Sequence, residues 1–237
     1  MSCDTSKASQ SLSSMSKTYL DLANWHRRQH FDFFKEFAEP FHGMTVQIPC
    51  GPAKNYCREQ GYSFFLFYLH QCLLAVNQTE ALRLRIESDA TGSASAVAHY
   101  QQIHVNCTIA RADHSFGFCP LEFHSDWPTF AQAAQAPMAM VKASQGLNLQ
   151  AEARDDLIHF SAIPWLNFSA LTHARARLQN GLCSDSVPKI SVGKLTEVQG
   201  QLVLPVALFA HHGLADAYHF AQFYARLEAG LLLQART

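Results

Sequence analysis

Ile190-Ser191-Val192, the corner Gln199-Gly200, the run Leu202–Ala210 and the segment His211-His212-Gly213-Leu214-Ala215-Asp216 decide how this chain folds. Ile190 and Val192 share one face of a strand, Gln199-Gly200 permits a tight turn, and Leu202–Ala210 is apolar enough for a buried strand, so the unit predicts a β-hairpin. Its second strand runs straight into two histidines. Asp216 then opens an amphipathic helix whose buried stripe is Phe220, Tyr224, Leu227 and Leu231.

Outward from this unit, helices and strands alternate. Asn24 is a candidate N-cap for a helix through Trp25, Arg27, Arg28, Phe31 and Phe34. Ser63–Gln78 reads as a buried helix, with Leu66, Leu69, Leu73 and Val76 along one face. Asp126 and Pro128 mark another helix start, which Pro137 is expected to limit or kink. Val97–Ile109 and Ile158–Trp165 are apolar without a helical period and read as strands. The sum is an α/β layer fold with a mixed, largely antiparallel sheet. No glycine-rich phosphate loop follows a strand, so a dinucleotide or nucleoside-triphosphate fold is unsupported.

Composition narrows the function classes. Apolar residues make up 48% of the 237 and charged residues 16%, enough to bury a large core and to leave apolar surface for a subunit contact. Eighteen Lys plus Arg against 19 Asp plus Glu leave no charge excess to grip nucleic acid or an anionic membrane. The seven cysteines lack paired CxxC spacing, which fits free thiols in a reducing compartment. Residues 1–17 carry seven serines and no apolar stretch of the kind a secretory signal needs, and no run approaches the ~18 residues of a membrane span. The expectation is a cytoplasmic protein with a loose tail at 1–17 and a single domain at 18–237. Thirteen histidines make mild acid a condition to watch.

The chemistry concentrates at the strand end. A histidine where a strand gives way to a loop is held rigidly while its ring faces a cleft, and a free imidazole, with a pKa near ~6.5, can accept a proton at neutral pH. That suits activation of a hydroxyl. Spacing alone leaves open a blander reading, in which two histidines end a strand and Asp216 merely caps the next helix. It also leaves His211, His212 and His219 as a conceivable metal set, although no carboxylate stands at metal-hydrolase spacing and no metal is expected.

Four blocks in one order add to this. His211-His212-x-x-x-Asp216 resembles the signature of the chloramphenicol acetyltransferase family. Asn24-Trp25-His26-Arg27-Arg28-Gln29-His30-Phe31 resembles its N-terminal segment, Ser161-Ala162-Ile163-Pro164-Trp165 its central block, and Val187–Lys194 with Leu204-Pro205 the strands around the histidines. The resemblance implies the CoA-dependent acyltransferase fold, with acetyl-CoA as co-substrate. It implies His212 as general base, its other ring nitrogen bonded to its own carbonyl. Ser161 is then the oxyanion donor, with Ser191 supporting it through water, and Asp216 with Arg27 forms a structural ion pair. Trp165 and Lys194 are implied at the coenzyme tunnel, and Phe33, Phe34, Phe116, His173 and Arg175 at the acceptor pocket. The family's homotrimers, with sites between subunits, would bring His212 from one chain and the wall near Phe33 and Phe34 from the next. The product would be an O-acetylated small molecule, with antibiotic resistance as one use.

Departures from the family pattern fall at the acceptor end. Phe34 stands where the family has a tyrosine, and His173 with Arg175 replaces apolar residues, a wall that disfavours an apolar nitrophenyl acceptor by uncompensated desolvation. Ala217 replaces the motif glycine, restricting the backbone if φ is positive there. The competing readings are a catalytically silent relative that only binds coenzyme A or a small ligand, and an acetyltransferase for a more polar acceptor.

Overall fold

The computed structural model describes residues 16–89, 92–149, 154–175 and 185–233. β10 (Gln201–His211) is the longest strand among them and organises the main sheet. On one side β2 (Phe41–Pro49) pairs with it antiparallel, from Val203 opposite Pro49 to His211 opposite Phe41. On the other side β8 (Lys189–Val192) and β9 (Thr196–Val198) also pair antiparallel. Gln199 and Gly200 both take positive φ, 50° and 78°, the turn geometry that matches strand twist in a two-residue hairpin. Next to β8 come β7 (Leu157–Ala162) and β5 (His104–Ala110), both parallel, and then β6 (Phe116–Leu121), antiparallel. The order β2-β10-β8-β7-β5-β6, with β9 beside β10, is the mixed, largely antiparallel sheet expected. A second, antiparallel sheet has the order β1 (Lys17–Tyr19), β4 (Ala94–Tyr100), β3 (Leu84–Ser88).

The pleat sorts side chains by parity. Cys107 and Ile109 on β5, Ile158 and Phe160 on β7, Ile190 and Val192 on β8, and Val206 and Leu208 on β10 join one core. Helices α2 (Gly51–Gln60), α3 (Phe64–Gln78), α4 (Trp127–Ala143) and α5 (Ala217–Leu231) contribute to that same core. Each such Ile, Val, Leu or Phe removed from water stabilises the fold by roughly 1.5–3 kcal/mol. The Tyr224 hydroxyl pins α5 to the sheet, donating to the Met44 carbonyl at 2.7 Å and accepting the Leu208 N–H at 3.1 Å. Alternate residues on the same strands face away from the helices.

Several local expectations need correction. The first helix, α1, spans Arg28–Phe34 rather than starting at Asn24. The Asp21 carboxylate captures the Ala23 N–H at 3.0 Å and the Asn24 amide at 2.6 Å, which holds that stretch in a turn. Helix α3 is capped by Ser63 as expected, but every residue from Leu66 to Val76 is buried, as for a helix apolar on all sides. Asp126 caps α4, yet the helix passes through Pro137 to Ala143. The carbonyl deprived of its bond belongs to Ala133, an exposed residue, where solvent can replace it. The apolar run Val97–Ile109 divides at the exposed pair Gln101-Gln102 into β4 and β5, which belong to different sheets. Ala217 begins α5 and is not among the residues of positive φ, so losing the motif glycine imposes no strain there. Residues 1–15 of the expected tail lie outside the described residues, whereas Lys17 is already paired with Tyr100.

Cys50, Cys57, Cys72, Cys107 and Cys119 are buried free thiols; Cys3 and Cys183 lie outside the described residues. Burial pushes the Cys50 thiol up to about 12, which leaves it protonated and unreactive.

Three imidazoles make the fold acid-sensitive. Burial pulls His211, His159 and His173 down to about 4, with the Lys189 charge adding to the effect at the latter two. At His211 the unprotonated Nδ1 accepts the Gly213 N–H at 3.1 Å. Unfolded histidine takes up its proton near ~6.5, so the native state alone stays unprotonated between that value and about 4. Stability is therefore full above ~6.5 and falls as pH drops through the window, by up to about 3 kcal/mol per imidazole. Thermal unfolding followed at pH 7 and pH 5 should show a fall in Tm of at least about 5 °C, and His211→Gln should shrink it. A Tm that stays level over that range would show that these rings are not buried uncharged.

Candidate active site

Beyond β10 the chain turns sharply through His211-His212-Gly213. A Cβ at Gly213 would sit 3.1 Å from the His211 ring, so this turn favours glycine. The turn lays the His212 ring flat between two others. Phe34 stacks on one face at 4.1 Å and 17°, His42 on the other at 4.0 Å and 18°, and His42 in turn stacks on Phe220 at 4.5 Å and 11°. Nδ1 of His212 lies 3.3 Å from the Ala215 carbonyl, and Nε2 of His42 is 3.1 Å from the same oxygen. A carbonyl can only accept, so both ring nitrogens carry hydrogen, and in the neutral His212 ring the lone pair falls on Nε2. The partner is the Ala215 carbonyl and not the histidine's own. The His212 carbonyl is instead engaged by Nη2 of Arg27 at 3.3 Å. His42 is held low in pKa by burial and then by the neighbouring His212.

Arg27, only 6% exposed, also reaches Asp216, with Nη1 2.5 Å from Oδ2. Burial opposes ionisation of Asp216, but the Arg27 hydrogen bond and charge outweigh it and hold the carboxyl well below the usual range. Its other oxygen accepts the Tyr218 N–H at 3.0 Å, capping α5. Asp216 is thus both a helix cap and half of an ion pair. One guanidinium ties α5 to the carbonyl of the histidine that precedes it.

On the sheet face away from the helices, register places polar residues in two rows. Asn106, His159, Lys189 and Phe209 stand side by side across β5, β7, β8 and β10. Two positions further along the strands, Ser161, Ser191 and Ala207 form the second row. Thr108 extends it, donating from its hydroxyl to Ser161 Oγ at 3.3 Å. That leaves the Ser161 O–H free to donate elsewhere. A cavity of about 160 Å³ lies against these rows, lined by Asn106, Thr108, His159, Ser161 and Lys189 with Phe118, Phe160, His173 and Ala174.

The remaining residues singled out from sequence divide between the two regions. Ser191 is fully buried, its Oγ 3.5 Å from Nε2 of His173, whose ring lines the cavity and meets Phe209 edge-on. Arg175 does not line the cavity. Its guanidinium is bound by Glu39 and lies 5.2 Å from the centroid of Phe41, so the cationic wall anticipated from His173 and Arg175 is a neutral imidazole beside a neutralised arginine. Phe116 is 44% exposed and touches Phe118, which takes the lining position. Phe33 and Phe34 belong to the His212 region of the same chain, where Phe33, Phe34 and Phe37 make mutual ring contacts. The assignment of Phe34 to a neighbouring subunit is corrected on this point. Trp165 and Lys194 are both exposed and lie on adjoining loops, joined by Lys194 N–H to Leu166 carbonyl at 2.8 Å. Gly193 allows that approach, since a Cβ there would fall 2.7 Å from the Leu166 oxygen.

Ser161 and His212 do not meet within one chain. Ser161 is level with Ala207, two strands away, and His212 lies five residues beyond Ala207. Strand spacing and rise put the two side chains on the order of 15–20 Å apart.

His42, Asn106, Thr108, His159, Lys189 and Glu39 were not recognised from sequence. The alternation in His159-Phe160-Ser161 and Lys189-Ile190-Ser191-Val192, read as polar on one face and apolar on the other, carries the signal for four of the positions now seen in the rows. For His42 and Glu39, whose partners are distant in the chain, no local signal exists.

Comparison with known proteins identifies the family that has this fold. The family model described as chloramphenicol acetyltransferase matches residues 15–228. Chloramphenicol acetyltransferase 3 of Escherichia coli is 25% identical over 215 residues, covering 90% of this chain and 96% of the relative. The chloramphenicol acetyltransferase of Clostridioides difficile is 22% identical, covering 88% and 93%. A solved chloramphenicol acetyltransferase structure superposes with a TM-score of 0.81 at 30% identity, covering 91% of this chain and all of that one. The dihydrolipoamide acetyltransferase of Azotobacter vinelandii shares the fold alone, at a TM-score of 0.58 and 14% identity over 81% of this chain and 82% of its own. With the match extending from β1 to α5, the chain belongs to the chloramphenicol acetyltransferase family of acyltransferases.

Proposed function

We propose that the chain transfers an acetyl group from acetyl-CoA to the hydroxyl of a small acceptor, with His212 as general base. The observation that carries this reading is the fixed imidazole: the Ala215 carbonyl holds the hydrogen on Nδ1, and Phe34 and His42 clamp both faces. Nε2 then takes the proton of the acceptor hydroxyl as its oxygen attacks the thioester carbonyl. The Ser161 O–H donates to the tetrahedral oxyanion, and Ser191 supports it through water. Collapse breaks the carbon–sulfur bond, and the departing thiolate recovers the proton from Nε2. No acyl-enzyme forms. Trp165 and Lys194 flank the coenzyme, with Lys194 available to a phosphate.

The separation of Ser161 from His212 supports a homotrimer in which one subunit's His212 serves the next subunit's Ser161 row. Phe33 at 62% exposure, Phe37 at 38% and Met44 at 41% give the His212 region an apolar surface suited to such a contact. In this assembly the Phe34–His212 stack travels as one unit. The free thiols fit a cytoplasmic setting.

Release of coenzyme A thiol from acetyl-CoA with a panel of alcohols tests the reading. Replacing the base, His212→Ala, should lower kcat by about 10²–10⁴ while leaving coenzyme A affinity unchanged by calorimetry. Turnover that survives this change would remove His212 from the mechanism. A loss of about 10²–10³ in kcat is expected for Ser161→Ala, the size typical of one oxyanion donor. Arg27→Met should strand Asp216 and free the His212 carbonyl. Because Asp216 is partly solvated, the cost in stability is expected near 1–3 kcal/mol, below that of a fully buried pair. An Arg27→Met protein with parental Tm and kcat would show that the brace is dispensable.

A further inference from the structure

His42 and Phe34 both cover the His212 ring, but His42 also binds the carbonyl that His212 binds. Strand β2 sets His42 opposite Ala210, near the end of β10. Its Nε2–H donates to the Ala215 oxygen at 3.1 Å, while Nδ1–H of His212 donates to the same oxygen at 3.3 Å. The two rings lie 4.0 Å apart and 18° from parallel, and Phe220 covers the far face of His42. With that N–H committed and both faces covered, His42 acts on the chemistry through His212 rather than on substrate.

A carbonyl divided between two donors gives less to each. When His212 takes up a proton its Nδ1–H bond becomes charge-assisted, and that gain is smaller at an oxygen already bonded to His42. Two positive rings 4.0 Å apart would repel, so the stack holds one added proton at most. Burial, and then the neighbouring His212, keep His42 in its neutral form. The other charges that reach His42 are Asp216 at the head of α5 and Arg27 before α1. These two are paired with each other, and His219 meets the second Asp216 oxygen at 2.8 Å. None of those pairings runs through His42, so replacing it reports on the shared carbonyl.

We propose that His42 is a positioning residue for acetyl transfer which, by sharing the Ala215 carbonyl, limits how firmly His212 holds the proton it takes. The proposal rests on the acetyl-transfer reading above and adds a control on its base. The proton that Nε2 takes from the acceptor hydroxyl must leave again for the coenzyme A thiolate. A base that held it tightly would release it slowly and would be silenced by mild acid. A phenyl ring in place of His42 would supply an aromatic face without the N–H. That frees the oxygen for His212 and places a better π surface against the protonated ring. Both effects strengthen proton binding at the stack.

Nitrogen NMR of the full chain, labelled at histidine, tests this without any acceptor. In the parent, His42 is expected as the Nε2–H tautomer and His212 as the Nδ1–H tautomer. Proton uptake at the stack, followed in the same spectra, should begin about half to one pH unit higher in His42→Phe. His42→Met, which also lacks the N–H, takes its place should the phenyl variant fail to fold. His42→Gln puts an amide N–H where the imidazole N–H was, and should restore the parental value to within about 0.2 unit. The acid limb of kcat/KM for thiol release from acetyl-CoA, with chloramphenicol as acceptor, should move by the same amounts. A His42 ring with Nε2 unprotonated, or proton uptake that stays level in a folded variant lacking the N–H, overturns the proposal. An unmoved acid limb beside intact turnover also overturns it and leaves acetyl transfer standing. Spectra that behave as expected in a chain inert to the whole alcohol panel count against acetyl transfer and spare the shared carbonyl.

Discussion

A β-sheet is too stiff to fold back on itself, and that stiffness governs this molecule. Hydrogen-bonded register fixes Ser161, Ser191 and Ala207 in one line, and five further residues of extended β10 carry the chain away before it turns at His212. No side-chain rotation closes a gap of that order. The end of β10 therefore presents a clamped imidazole, while β5, β7 and β8 carry a half-open cavity beside the Ser161 hydroxyl. Under the proposed assembly the distance is a virtue, because each subunit contact joins an imidazole to a cavity and neither works alone. Exposed Phe33, Phe37 and Met44 beside the imidazole become the surface that makes the contact.

Geometry at the imidazole is over-determined by several weak constraints. The shared Ala215 carbonyl fixes two ring orientations, the four-ring stack fixes tilt, and Arg27 fixes the backbone carbonyl of His212 while holding Asp216 at the start of α5. A buried ion pair of this type contributes little net stability relative to an apolar pair of equal size, because desolvation offsets attraction. Its role here is positional. Removing one partner would leave a charge uncompensated and release the turn on which the ring sits.

How much of this could be read in the chain itself depended on the range of the interaction. The hairpin from Ile190 to Ala210, the Ser63 and Asp126 caps and the amphipathic α5 are local patterns, and all are present in the structure. The Arg27–Asp216 pair spans 189 residues, yet matching motifs brought it within reach. Pairings with neither a local period nor a motif were invisible: Glu39 neutralising Arg175, Asp185 neutralising Lys189, and His42 stacking on His212. Those same contacts place Arg175 and Lys189 each against a carboxylate. A lone cation in a sequence carries no label saying whether a distant carboxylate will meet it.

Mixing two inactive proteins tests the composite site most directly. His212→Ala and Ser161→Ala chains, dissociated together and reassembled in equal amounts, should regain about a quarter of parental activity, since three in four trimers are mixed and each holds one intact pairing. Either protein reassembled alone should stay inactive. If the mixture remains silent although mass spectrometry shows mixed trimers, His212 does not act on a neighbour's Ser161, and the account of a site shared between subunits is wrong.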